Sequence, residues 1–255
     1  MNLGSLISKE TLIEGSSLWE LSCSINGFAN KSGYDLVTQI ASGRSFQIID
    51  PNIDHFVNGN KFSRLKVRLL EDGYICWVDY SSIRDQAFFR DKWAPTFLSR
   101  IDIETKIPLV MRWIKKASSK SNKYLWGGSI EPDFDCSGLV QASFSSQGIW
   151  LPRDAYQQER FCDDIPIVNG IMNNLKTGDL LFFGDTNKCT HVGIYESNEF
   201  ASFTYEEMPF ILAPNLWSSI NKSEIIIEKK ERAHGDGISI NTNSPEAFEE
   251  VFWKT

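Results

Sequence analysis

At 255 residues, with 42% hydrophobic and 13% aromatic content, the chain holds enough apolar material for one large core or two modest ones, which excludes a disordered protein. Its 26 basic and 33 acidic residues leave a net charge of -7. No Lys/Arg cluster interleaved with aromatics is present to neutralise a run of phosphates, so nucleic acid is not an expected partner. No run approaches the roughly eighteen apolar residues that a membrane helix needs, and the opening MNLGSLISKETLIEGSSLWE lacks the basic start and apolar stretch of a signal peptide. The sequence therefore predicts no membrane association and a cytoplasmic location.

In chain order, residues 1–90 read as a small β-barrel. Short extended segments (DLVTQIA, SGRSFQIID, RLKVRLL, YICWVDY) alternate with turn chemistry, and PNIDHFVNGNK is expected to be a polar loop. Alternation is clearest at Leu65, Val67 and Leu69. Asp72-Gly73 then turns the chain into Tyr74, Cys76 and Val78, which predicts a hairpin. Residues 91–105 lack a strict period and contain Pro95, and are expected to form a linker. In the segment 106–255 a helix is expected first, with Leu109, Val110, Trp113 and Ile114 at helical spacing. Further on come a helix over 137–147 and extended GDLLFFG, HVGIY and SEIIIEK, an α+β pattern.

The chemistry concentrates in residues 124–159. Asp135 is a strong N-cap type, Leu139, Val140, Ser143 and Phe144 share a helical stripe, and Gly148 suits a helix C-terminus, so Cys136 opens a helix. A thiol there meets unpaired backbone N–H groups and the positive end of the helix dipole. The expectation is a thiol pKa depressed from about 8.5 toward neutrality, with the same N–H groups available to an oxyanion. A base is needed too. Of three histidines, His55, His191 and His234, only His191 begins a strongly apolar strand, THVGIY, and a strand holds an imidazole firmly. Cysteine first and histidine later on a strand is the chain order of papain-like nucleophile arrangements. The other cysteines, Cys23, Cys76, Cys162 and Cys189, are scattered and form no CxxC pair, so neither a disulfide framework nor a metal site is expected.

The run from Tyr124 to Glu159, with DCSG at 135–138 and LPRDA at 151–155, followed by GDLLFF and HVGIY, closely resembles the NlpC-type family of cell-wall cysteine peptidases. The resemblance implies a papain-like catalytic domain, and EDGYICWVDYSSI resembles the closing hairpin of bacterial SH3-like modules. A subgroup with such an N-terminal module cleaves the γ-D-glutamyl to meso-diaminopimelate bond of short wall peptides bearing a free N-terminal L-alanine. By resemblance, Cys136 matches the nucleophile and His191 the general base. Asp135 and Ser137 match positions facing the substrate's amino end, Arg153 an arginine beside the cleft, and Tyr124 a tyrosine whose hydroxyl lies near the thiol. The implied partner is a murein tripeptide or tetrapeptide, and the implied chemistry requires no cofactor.

The sequence also departs from the family. The triad is normally completed by a polar residue, often histidine, on the strand after HVGIY. A hairpin turning at Ser197-Asn198 puts Ser202 there. An insertion over 196–222 puts Glu228 there instead, and His234 lies a few residues beyond. The aromatic hydroxyl that an SH3-like module can lend to the cleft is replaced by Phe28.

Overall fold

The computed structural model describes residues 18–165, 175–184 and 189–196, and the backbone of 210–211 and 237–239. The chain divides into two compact units, Met1–Thr96 with Trp126–Ile130, and Phe97–Leu125 with Glu131–Thr255.

The first unit is a strand assembly. β1 (Leu18–Leu21), β2 (Ile25–Phe28), β3 (Leu36–Ile40), β4 (Ser45–Asp50), β5 (Asp54–Val57), β6 (Asn60–Leu69) and β7 (Ile75–Asp79) are followed by the single-turn helix α1 (Tyr80–Ile83) and by β8 (Ala87–Arg90). The sheet order is β3-β2-β7-β6-β4-β1-β8, with β5 paired to β6. Leu65, Val67 and Leu69 face inward and pack with Trp19, Phe46 and Val78 in one apolar cluster. The expected hairpin is present, with Val67 opposite Cys76 and Leu65 opposite Val78.

One expectation for this unit needs correction. The supposed polar loop contains β5 and turns into β6 at Asn58-Gly59, whose φ angles of 49 and 79 are those of the Asn-Gly hairpin turn. His55 thus lies on a strand. Within the same 1–90 segment β8 pairs along β1 from Ala87 to Arg90.

In the second unit, α2 runs from Arg100 to Ser118. It begins earlier than residue 106 because Ser99 and Asp102 form a reciprocal capping box, Ser99 Oγ accepting the Asp102 N–H and Asp102 accepting the Ser99 N–H. Residues 100–105 are therefore helix and not linker. The buried face carries Ile103, Val110, Met111, Ile114 and Ala117, whereas Leu109 is exposed. Pro108 sits within this helix and drew the sequence-based start to its own neighbourhood.

The remaining elements are α3 (Cys136–Ser145), α4 (Ala155–Phe161) and a five-stranded sheet. Its strands are β11 (Asp163–Ile165), β12 (Leu180–Gly184), β13 (Cys189–Tyr195), β14 (Phe210–Ile211) and β15 (Gly237–Ser239), in the order β11-β15-β12-β13-β14. Two short strands, β9 (Ser129–Ile130) and β10 (Asp133–Phe134), precede α3. Leu139, Val140 and Phe144 of α3 pack with Phe182, Val192 and Ile194 of the sheet in one core. The segment SEIIIEK lies outside the described residues. Among the described residues no helix is long and apolar enough to cross a membrane.

Candidate active site

Cys136 is the first residue of α3, and Asp135 is its N-cap, the Asp135 carboxylate accepting the Gly138 N–H at 2.6 Å. The helix ends before Gly148, whose φ of 75 permits the reversal that a side chain would resist. The sulfur receives the main-chain N–H of Val192 and that of Ser137, and both favour its ionised form. Val192 directly follows His191 on β13, so the strand bearing the histidine is laid against the thiol at the helix start. Along one edge that strand segment is paired with β12, with Phe183 opposite His191 and Phe182 opposite Val192. The Phe183 and His191 rings lie 5.8 Å apart, and the Cys189 thiol donates to the His191 carbonyl at 3.2 Å.

The electrostatics correct the expected thiolate. Burial, and after it the Asp135 carboxylate, push the Cys136 thiol up to about 11, outweighing the two N–H groups and Arg153. Burial likewise pushes His191 down to about 4, against a small opposing pull from Asp135. Both shifts favour the uncharged forms, a thiol at Cys136 and a neutral imidazole at His191. A helix start stabilises a thiolate only as far as solvent and neighbouring charge permit, and Cys136 is 6% exposed beside a carboxylate.

Tyr124 is half-buried. Burial, and next the proximity of Cys136 and Asp135, raise its phenol well above the ordinary value, which keeps it a hydrogen-bond donor. Asp135, Ser137 and Arg153 form one buried network. Arg153 Nη1 donates to Asp135 Oδ1 at 3.0 Å and Nη2 to Oδ2 at 2.7 Å, while Nη1 also donates to Ser137 Oγ at 3.1 Å. Ser137 Oγ donates to Asp135 Oδ1 at 3.3 Å. Arg153 is therefore not a surface ion-pair partner.

The structure brings Cys136, the His191 strand, Tyr124, Asp135, Ser137 and Arg153 together in the second unit. Ser202, Glu228 and His234 lie outside the described residues. The strand paired with β13 on the side away from β12 is β14, with Ile194 opposite Ile211 and Tyr195 opposite Phe210. Nε2 of His191 is buried and has no hydrogen-bond partner among the described residues. Phe28 is buried in the first unit beneath the Arg64 guanidinium, 3.8 Å from its ring centre.

Three participants were not legible from residue types. The Val192 N–H belongs to the backbone and leaves no sequence signal. Gln141 and Gln158 are buried amides that tie α3 to the chain after it, Gln141 Nε2 donating to Leu151 O at 2.8 Å and Gln158 Nε2 to Ser137 O at 3.1 Å. Gln158 lies in the glutamine-rich AYQQE and Gln141 in LVQAS, and neither setting is distinctive. Among the described residues no cluster of three or more His, Cys, Asp or Glu side chains is gathered to hold a metal ion.

A cysteine opening a helix that packs on a histidine-bearing antiparallel strand defines a papain-like domain. Residues 121–245 match the NlpC/P60 family and residues 30–83 the bacterial dipeptidyl-peptidase SH3 domain, so the chain joins an NlpC/P60 family domain to an SH3-like module. Among curated relatives, the bifunctional muramidase/DL-endopeptidase CwlT of Bacillus subtilis is 48% identical over 79 residues, 29% of this chain and 22% of that protein. The murein DD-endopeptidase MepS/murein LD-carboxypeptidase of Escherichia coli is 40% identical over 83 residues, 32% of this chain and 42% of its own. The γ-D-glutamyl-L-lysine dipeptidyl-peptidase of Bacillus subtilis is 39% identical over 75 residues, 28% of this chain and 24% of its own. The chain thus spans less than half the length of each of these relatives.

Proposed function

We propose that this protein is a cysteine endopeptidase that hydrolyses the γ-D-glutamyl to meso-diaminopimelate bond of murein tripeptides or tetrapeptides with a free N-terminal L-alanine, and that it trims recovered wall peptides in the cytoplasm. The observation that carries this reading is the placement of Cys136 at the start of α3 with the Val192 N–H, next to His191, directed at its sulfur. In the proposed cycle His191 takes the thiol proton as sulfur attacks the γ-glutamyl carbonyl, and helix-start N–H groups hold the tetrahedral oxyanion. The histidine then returns that proton to the leaving amine, and water, deprotonated by His191, cleaves the thioester. Tyr124 supplies a hydroxyl donor beside the oxyanion. Curated relatives named for murein endopeptidase and γ-D-glutamyl dipeptidyl-peptidase activities support the substrate class.

The test is incubation of the full chain with L-Ala-γ-D-Glu-meso-diaminopimelate and mass analysis of the products. Release of diaminopimelate is expected, falling by about a thousandfold or more in Cys136→Ala. Parental turnover in that variant rejects the mechanism. A second reading, binding of the same peptides without turnover, is favoured by Phe28, which stands where an SH3-like module can lend a hydroxyl to the cleft and is buried beneath Arg64. It predicts calorimetric binding by the unaltered chain with no diaminopimelate released.

A further inference from the structure

The sequence marked LPRDAYQQ as part of the site, and resemblance aligned its arginine with a residue beside the cleft. The geometry points to a different task for it. Both terminal nitrogens of Arg153 are engaged by Asp135, in a two-pronged pairing at 3.0 and 2.7 Å, and the guanidinium is 1% exposed. The same carboxylate that receives this fork accepts the Gly138 N–H in the first turn of α3. On either side of Arg153 the segment is fastened to that helix again. The Leu151 carbonyl accepts from Gln141, and Gln158 donates to the carbonyls of Pro152, at 2.8 Å, and Ser137, at 3.1 Å. Gln158 is fully buried.

We infer that Arg153 is a positioning residue, acting through Asp135 to hold the first turn of α3 and the sulfur of Cys136, and that it does not receive a carboxylate of the substrate. The inference rests on the reading of Cys136 as nucleophile. An incoming carboxylate would have to displace Asp135 and strand a buried anion, an exchange that the loss of a charge-assisted fork makes unfavourable. The pairing has a second effect. Asp135 adjoins the nucleophile, and its negative charge opposes the thiolate that forms during attack, while Arg153 counters it. The arginine fixes the cap geometrically and masks it electrically. LPRDAYQQ is accordingly a clamp on the nucleophile helix, with Asp154 and Gln157 spent on capping α4.

The test compares the unaltered chain with R153K, R153Q and the double variant D135N/R153Q, which removes both charges and keeps an N-cap side chain at 135. Two quantities are measured: the alkylation rate of Cys136 by iodoacetamide across pH, located by peptide mass analysis, and kcat and KM on L-Ala-γ-D-Glu-meso-diaminopimelate. For R153K the expected result is a loss of about tenfold in alkylation rate and in kcat, with KM within about threefold, because a lysine keeps the charge but not the fork. In R153Q the alkylation profile shifts to higher pH, and D135N/R153Q shifts it back. A tenfold or larger rise in KM for R153K, with kcat and alkylation unchanged, assigns Arg153 to the substrate and overturns the inference. Should R153K and R153Q fail to fold while D135N/R153Q folds, the buried Asp135 carboxylate left without its fork is the cause and the inference stands; a double variant that alkylates like the parent but has KM raised about tenfold or more overturns it. Alkylation needs no peptide, so absence of peptidase activity in the unaltered chain counts against the proposed function and leaves this comparison standing.

Discussion

Each of the two units buries an arginine against carboxylates, and the two clusters differ in charge and in what they support. In the first unit Arg44 lies between Glu71 and Asp72, with Nε 3.2 Å from one carboxylate and Nη2 2.7 Å from the other. The two acids hold main-chain donors, Glu71 the Ser45 N–H at 2.6 Å and Asp72 the Tyr74 N–H at 3.0 Å, and so fix the turn between β6 and β7. One cation there serves two anions, and burial raises Glu71 above its ordinary value in spite of Arg44. In the second unit Arg153 forks onto the carboxylate of Asp135, and the donor held by that acid belongs to the helix start that carries the thiol. A buried ion pair therefore does not mark a reactive site by itself. What distinguishes the second cluster is that a sulfur and an imidazole-bearing strand meet at the backbone it holds.

The largest expected difference is in deletion of one acid. Asp135→Ala removes the carboxylate that receives the Arg153 fork and the cap of α3, a loss of about 3–5 kcal/mol for the second unit. Asp72→Ala leaves Arg44 its Glu71 partner, so the first unit should lose only about 1–3 kcal/mol. Denaturant-dependent hydrogen exchange, read separately over strands of each unit, checks both values. Equal losses would break the comparison.

Acidification should move the units in opposite directions. His191 is pushed down to about 4 in the folded state, from an ordinary 6.5, so its contribution is present above 6.5 and is lost as pH falls toward 4. Within that window the second unit should weaken by at most about 1.4 kcal/mol per pH unit, and His191→Gln should remove this slope. Glu71 is raised above 4.5, so its contribution is full below 4.5 and is lost as pH rises through the raised value. The first unit should gain from mild acid on account of Glu71, and Glu71→Gln should flatten that gain. Exchange profiles with the same slope in both units would contradict these assignments.

The smallest effect separates packing from charge. A Cβ at Gly27 would lie 2.8 Å from Cys76 Sγ and 2.8 Å from Thr38 Cγ2, so Gly27→Ala should destabilise the first unit by about 1–3 kcal/mol. Cys76→Ala in the same chain should relieve part of that strain, measured as a positive coupling in a double-mutant cycle. Additive losses would mean that Thr38 alone sets the limit.

The period-2 run from Leu65 to Val78 and the helix opened by Asp135 were readable because burial alternation and capping are local properties. β5 was missed although Asn58-Gly59 spells its turn, since the polar residues around it masked the alternation. The early start of α2 was likewise written in Ser99 and Asp102, while Pro108 drew attention downstream. Chain order, residue type and the family resemblance nominated Cys136 and His191, and the structure lays the strand bearing His191 against the helix start that carries Cys136. The direction in which burial shifts these two groups was not readable, because desolvation depends on elements distant in sequence and no local pattern encodes it. The same holds for Arg153, whose partner could be assigned only once α3 and the segment before α4 were placed in space.

The donor that Val192 offers to sulfur is a peptide amide, so ordinary side-chain replacement cannot erase it. Any chain that preserves the β12–β13 register keeps this contact regardless of what occupies position 192, proline excepted. Only chemical synthesis, exchanging that amide for an ester, would subtract it cleanly. Substitution surveys of the protein would therefore leave one of the sulfur's nearest neighbours invisible.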